Sequence, residues 1–168
     1  ARHWGEFPTL FKDAIGADNI VTLDFPGNGS LHAQTSAGTV AAMAGHCRAE
    51  LRRLGYPPPY NVLALSLGAM VAVAWSEQHR DEIESMVLIN TSLAPYNPFY
   101  HRLRPANYFS VVRFLLDGSA VRRENLILNL TSAIKNHSGF RQAILDRWVA
   151  CARECPVTRA NMLRQLGA

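Results

Sequence analysis

Three cysteines in 168 residues, Cys47, Cys151 and Cys155, are too few and too unevenly placed for a disulfide scaffold, and their odd number leaves at least one unpaired. A small, stapled secreted module is excluded, and a reducing compartment, the cytoplasm, is expected. Cys151 and Cys155 lie one helical turn apart, but no histidine stands at a companion spacing, so the zinc patterns are not met and no metal is expected. Long apolar runs are also missing. The longest, Asn61 to Trp75, is interrupted at Ser66 and falls short of the ~20 residues of a membrane span, so no integral membrane association is expected. The glycines of Pro26-Gly27-Asn28-Gly29 lack both Gly-x-Gly-x-x-Gly and Gly-x-x-x-x-Gly-Lys spacing, which argues against a nucleotide and leaves no organic cofactor implied. Asn-x-Ser/Thr occurs at Asn28, Asn90, Asn129 and Asn136, but so short a pattern arises by chance and does not outweigh the cysteines.

What is present fits one globular domain: 48% hydrophobic and 18% charged residues. The chain opens on Ala1 without an initiator methionine and closes on Leu166-Gly167-Ala168 inside a helical pattern. Both ends are therefore expected to be cut ones, so a missing leader carries no information about destination. The net charge of +4 is unevenly spread: residues 1–100 hold six Lys/Arg against nine Asp/Glu, and residues 101–168 hold eleven against four. A basic half can serve nucleic acid, a membrane surface or an anionic ligand. Arg113, Arg122, Arg123, Arg141, Arg147 and Arg153 are dispersed through helical sequence without a nucleic-acid motif, so no nucleic-acid partner is expected and a solvated helix face is the plainer reading.

Residues 20–24, Ile-Val-Thr-Leu-Asp, read as a buried strand running into turn formers at 25–30. Between Thr39 and Leu54, Val40, Met43, Ala44, Cys47 and Leu51 recur at helical spacing, and Gly55 ends that helix before Pro57-Pro58-Pro59. A second strand is predicted over 61–65, an apolar helix over 67–79 and a third strand over 85–90. The resulting β-α-β-α-β order, with strands apolar at every position, predicts a parallel sheet covered by helices on both faces. After Pro95, Pro98 and Pro105, helical segments are predicted around 108–116, 121–135, 139–152 and 158–166. The fold class is thus α/β, a partial parallel core over 1–93 with a helical subdomain over 94–168.

The chemistry centres on Ala64-Leu65-Ser66-Leu67-Gly68, a serine between a predicted strand and a predicted helix. A turn that tight strains the serine backbone and demands small neighbours two positions away, which Ala64 and Gly68 supply. It would project the Ser66 hydroxyl off the sheet with the N–H of Leu67, at the helix start, placed to receive a developing oxyanion. An ordinary N-capping serine shows the same strand-serine-helix order, so the structural context must decide.

In this context the chain resembles the α/β-hydrolase family over nearly its whole length. Trp4, Phe7, Leu10 and Phe11 look like its helix after the oxyanion loop. The stretch Asp24-Phe25-Pro26-Gly27-Asn28-Gly29-Ser30 is similar to the family's Asp-x-Pro-Gly-x-Gly-x-Ser segment, and Glu82 to Asn90 looks like the strand after the elbow helix. The motif here is Ala-x-Ser-x-Gly where Gly-x-Ser-x-Gly is commoner. The resemblance implies that Asp24 is structural, that 94–168 is a helical cap, and that the sheet has a gap between 20–24 and 61–65 because the strand lying there, with the second oxyanion donor, would precede Ala1.

Family order is serine, acid, histidine. After Ser66 come His79, His101 and His137, none following a strand, while Asp117 and Asp146 fall in helices and the strand-end Asn90 cannot act as an acid. The triad acid and histidine are expected beyond Ala168, and the 168 residues alone are expected to be poorly stable and without turnover. The expected activity is that of a serine hydrolase on a small ester or related acyl substrate, with the basic half suggesting an anionic one, through an acyl-enzyme on Ser66 with Leu67 as half of the oxyanion hole. Met70, Phe99, Tyr100, Tyr108 and Phe109 are candidate pocket residues, though core packing explains them as well. A non-catalytic binding or scaffolding protein on the same fold, and a C–C hydrolase or perhydrolase, remain the alternatives.

Overall fold

The computed structural model describes residues 2–91, 109, 112–113, 117–132 and 138–168. In chain order its helices are α1 (Phe7–Ile15), α2 (Val40–Arg53), α3 (Leu67–Gln78), α4 (Ala120–Thr131), α5 (Ser138–Glu154) and α6 (Arg159–Gly167), and its strands are β1 (Tyr60–Leu65) and β2 (Ile83–Ile89). The chain packs as two compact units, one drawn from Ala1–Gln34 and Ala106–Arg159, the other from Thr35–Pro105 and Ala160–Ala168. The expected division at 93/94 lies outside the described residues. Among the described residues no helix is long and apolar enough to cross a membrane.

The second unit is built on a parallel β1–β2 pair, with Val62 opposite Met86, Ala64 opposite Leu88 and Leu65 opposite Ile89. Parallel neighbours need a crossover, and α3 provides it. Small side chains let that helix settle closely on the sheet: Ala64, Ala69 and Ala72 are buried together, with Val62, Met86 and Leu88 packed around them. Helix α2 packs against α3 and buries Met43, Ala44, Cys47 and Leu51. It starts where the Thr39 hydroxyl accepts the Ala42 N–H and ends at Gly55, whose φ of +82° is left-handed backbone that glycine adopts without penalty. Helix α6 is tied into the same unit at the buried Ser36, whose N–H donates to Asn161 Oδ1 (2.9 Å) and whose Oγ accepts from Gln165 Nε2 (2.7 Å).

Among the described residues two strands form where three were predicted. Residues 20–24 make no ladder: a β-branched apolar run becomes a strand only with a partner for its N–H and C=O groups, and no described residue pairs with it. Nor are the strands covered alike on both faces. Met86 and Leu88 turn into the core, whereas Val87 and Ile89 of β2 and Leu65 of β1 remain 42–55% exposed.

In the first unit, α4 and α5 bury Leu128 against Leu145 and Val149, with Ile144 and Trp148 at the margin. The predicted helices at 121–135 and 139–152 therefore form, the former stopping at Thr131. The loop after residues 20–24 is latched by Asp24, which accepts both the N–H and the hydroxyl of Ser30 at 3.0 Å. Gly29 is required inside this latch, because a Cβ there would overlap the Asp24 carboxylate. Asp24 thus has a structural partner set, as the resemblance implied.

The second unit closes around Glu82, which is only 5% exposed. Its carboxylate accepts from Arg48 Nε and Nη2 and from Arg52 Nη2, each at 2.7 Å, and from Trp75 Nε1 at 2.9 Å. The Arg48 hydrogen bonds dominate over burial and hold its pKa at about 2, below the ordinary 4.5. Because the folded value is the lower one, the stabilisation is present above about pH 4.5 and fades as pH falls toward 2. Glu82→Gln should cost about 3 kcal/mol at neutral pH by leaving Arg48 without its carboxylate. Urea denaturation of both proteins should show that gap narrowing as pH drops through this window, and a gap independent of pH would contradict the assignment.

Candidate active site

Ser66 sits between β1 and α3 and belongs to both. Its N–H continues the ladder, donating to the Ile89 carbonyl at 2.9 Å, while its own carbonyl already accepts from the helix, from Ala69 N–H (2.9 Å) and Met70 N–H (3.3 Å). Serving both elements forces the direction change into a single residue, at φ +52° and ψ −118°. A side chain rarely adopts that conformation, and it carries strain on the order of 1–3 kcal/mol.

The same geometry distinguishes this serine from a helix cap. A capping hydroxyl has extended backbone and accepts an N–H from the first turn, as Thr39 does at the start of α2, with φ −142° and ψ 149°. Ser66 makes no side-chain cap bond. It is exposed, and its Oγ is bonded to no other side chain among the described residues. Since Ala69 and Met70 turn their N–H groups back to Ser66, those of Leu67 and Gly68 are left without an intrahelical acceptor at the positive end of α3.

The small flanking residues are explained with one refinement. A Cβ on Gly68 would lie 4.0 Å from the Ala64 Cβ, which is ordinary contact. The two positions do face each other, so the turn excludes a bulky pair, while a single added methyl group fits.

Of the remaining predicted site residues, Met70 is half-buried in α3, one turn from Ser66. Phe99, Tyr100 and Tyr108 lie outside the described residues, as do His101 and His137. Phe109 belongs to the first unit and is 77% exposed, lining a cleft there. His79 caps the far end of the 12-residue α3, about 18 Å from Ser66 at 1.5 Å per residue, so it cannot take the Ser66 proton. Asn90 follows Ile89 directly and also has left-handed backbone, φ +56°. Sequence reasoning missed Ile89, whose apolar side chain gave no sign that its carbonyl anchors the serine.

Two other chemistries find little support. Burial pushes the Cys47 thiol up to about 12, which removes its nucleophilicity at neutral pH. Among the described residues no three His, Cys, Asp or Glu side chains gather as a metal site would require.

A parallel β-α-β unit with an exposed, strained serine at its strand-to-helix turn places the chain among the α/β folds. The family model for the alpha/beta hydrolase fold matches residues 3–153, and the chain belongs to that family. No curated protein matches the sequence. The fold and family point to a hydrolase in general terms.

The strain at Ser66 is measurable. Ser66→Gly should raise the unfolding free energy by about 1–2 kcal/mol over Ser66→Ala, reversing the usual cost of introducing glycine. Equal stabilities, or a less stable glycine variant, in chemical denaturation would mean that the elbow is relaxed.

Proposed function

We propose that the protein is a serine hydrolase of esters or related acyl compounds, working through an acyl-enzyme on Ser66. The observation that carries this reading is the Ser66 hydroxyl itself, exposed, held at a strained turn and committed to no capping bond. Oγ would attack the substrate carbonyl as its proton passes to a general base. The tetrahedral oxyanion would be met by the Leu67 N–H at the α3 N-terminus, the alkoxide or other leaving group would depart protonated, and water would release the acid and restore Ser66. Met70, half-buried one turn along α3 from Ser66, would touch the acyl chain. Cys47, Cys151 and Cys155 are all unpaired, which supports a reducing, cytoplasmic setting.

A non-catalytic binding protein on the same fold is the rival, favoured by one observation: among the described residues no histidine is bonded to Ser66 Oγ. Treating the whole protein with a fluorophosphonate separates the two. Stoichiometric labelling on the peptide containing Ser66, lost in Ser66→Ala together with at least a thousandfold of ester turnover, is expected for the hydrolase. A protein that binds its ligand but takes no label would establish the rival.

A further inference from the structure

Arginines dispersed in the sequence meet at one cleft of the first unit. A hollow of about 380 Å³ is lined by Phe109, Val112, Arg113 and Arg122. An adjoining hollow of about 220 Å³ shares Phe109, Arg113 and Arg122 and extends along α4 past Arg123, Asn125 and Asn129. Together they fall in the size range of a small-molecule site. Among the described residues their lining carries three arginines against one carboxylate, Asp117, a charge of two positive.

The polar groups are arranged as donors. Asp117 has both oxygens engaged, one by the Ser119 N–H (2.8 Å) and one by Arg122 Nε (2.7 Å), so it orients the Arg122 fork. Arg141 Nη2 donates to the side-chain oxygens of both Asn125 and Asn129, which leaves their NH₂ groups as the ends available to a ligand. Arg123 Nε is buried and has no hydrogen-bond partner among the described residues. An apolar wall at Phe109 and Val112, 77% and 53% exposed, faces no described core.

We propose that this cleft binds a small organic anion, with Arg113, Arg122 and Arg123 taking a carboxylate or phosphate monoester and Phe109 and Val112 taking an apolar or aromatic body. Guanidinium forks suit both head groups, since each presents coplanar or convergent oxygens. A nucleic-acid backbone fits poorly, because it needs a continuous basic groove whereas here the cations converge on one small hollow. Binding requires no reaction at Ser66, so this assignment stands or falls separately from the hydrolase reading.

Calorimetric titration of phenyl phosphate, benzoate and neutral benzamide into the Ser66→Ala protein tests it. At least one anion should bind saturably and more weakly as salt is raised, with benzamide at least tenfold weaker. Arg123→Met and the exposed Arg113→Met, which keep the apolar stem and drop the charge, should each weaken the anion about tenfold, while Arg164→Met in α6 should not. Thermal melts identify folded variants, and Arg113→Met alone decides if Arg123→Met does not fold. Preference for one anion names the head group and supports the site. Absence of saturation by both anions to about 10 mM, equal binding of benzamide, or unchanged affinity in a folded Arg113→Met protein would overturn it.

Discussion

The hydrogen bond from Ser66 N–H to the Ile89 carbonyl is the contact on which the candidate site depends. It keeps the serine in the sheet for one position beyond the last paired residues, Leu65 and Ile89, while the serine carbonyl is already claimed by the first turn of α3. A residue bonded to a strand through its N–H and to a helix through its C=O cannot sit in either element's own conformation. The left-handed φ follows from that double commitment, and so do the exposed hydroxyl and the need for small residues at 64 and 68. Were the ladder to stop at Leu65, Ser66 could relax to extended backbone and cap α3 in the ordinary way.

Strain persists only where the surroundings over-determine it, and both ends of the β-α-β unit are fixed here. At one end β2 holds Ser66. At the other, Glu82 stands just before β2 and gathers Trp75 from α3 with Arg48 and Arg52 from α2. The last turn of α3, the C-terminal half of α2 and the entry to β2 thus share one buried carboxylate. Between the two ends, Ala64, Ala69 and Ala72 bring the helix against the sheet. Helix α3 therefore cannot slide or tilt to release its first turn without breaking either the Trp75–Glu82 hydrogen bond or the packed alanine layer.

Much of this was legible in the sequence, because the elbow and the helices depend on local signals. The limits of α2 follow from Thr39 and Gly55, and Ser66 from its strand-to-helix context and small flanks. What escaped depends on partners distant in the chain. The run at 20–24 has the composition of a strand, but composition cannot supply a neighbour. Glu82 reads as one more charge before a strand, since Arg48 and Arg52 are 34 and 30 residues away. The arginines at 113, 122 and 123 look like a solvated helix face, yet all three line one cleft. Val87 and Ile89 belong to an apolar run that suggested burial on both sides, yet strand alternation leaves them exposed among the described residues.

Thr39 and Ser66 precede helices of the same unit and differ in what they do with their hydroxyls. Thr39 uses its own to satisfy an orphan N–H, a contribution of about 1 kcal/mol. Ser66 forgoes that contribution and accepts a strained backbone as well, at a position where glycine would remove the strain and an extended serine would recover the cap. Neither stability nor simple packing of α3 accounts for both sacrifices, because Oγ contributes to neither. An exposed hydroxyl beside N–H groups without an intrahelical acceptor is, however, what attack on a carbonyl needs in place before the substrate arrives. The proposed role of Ser66 as a nucleophile would account for both features together.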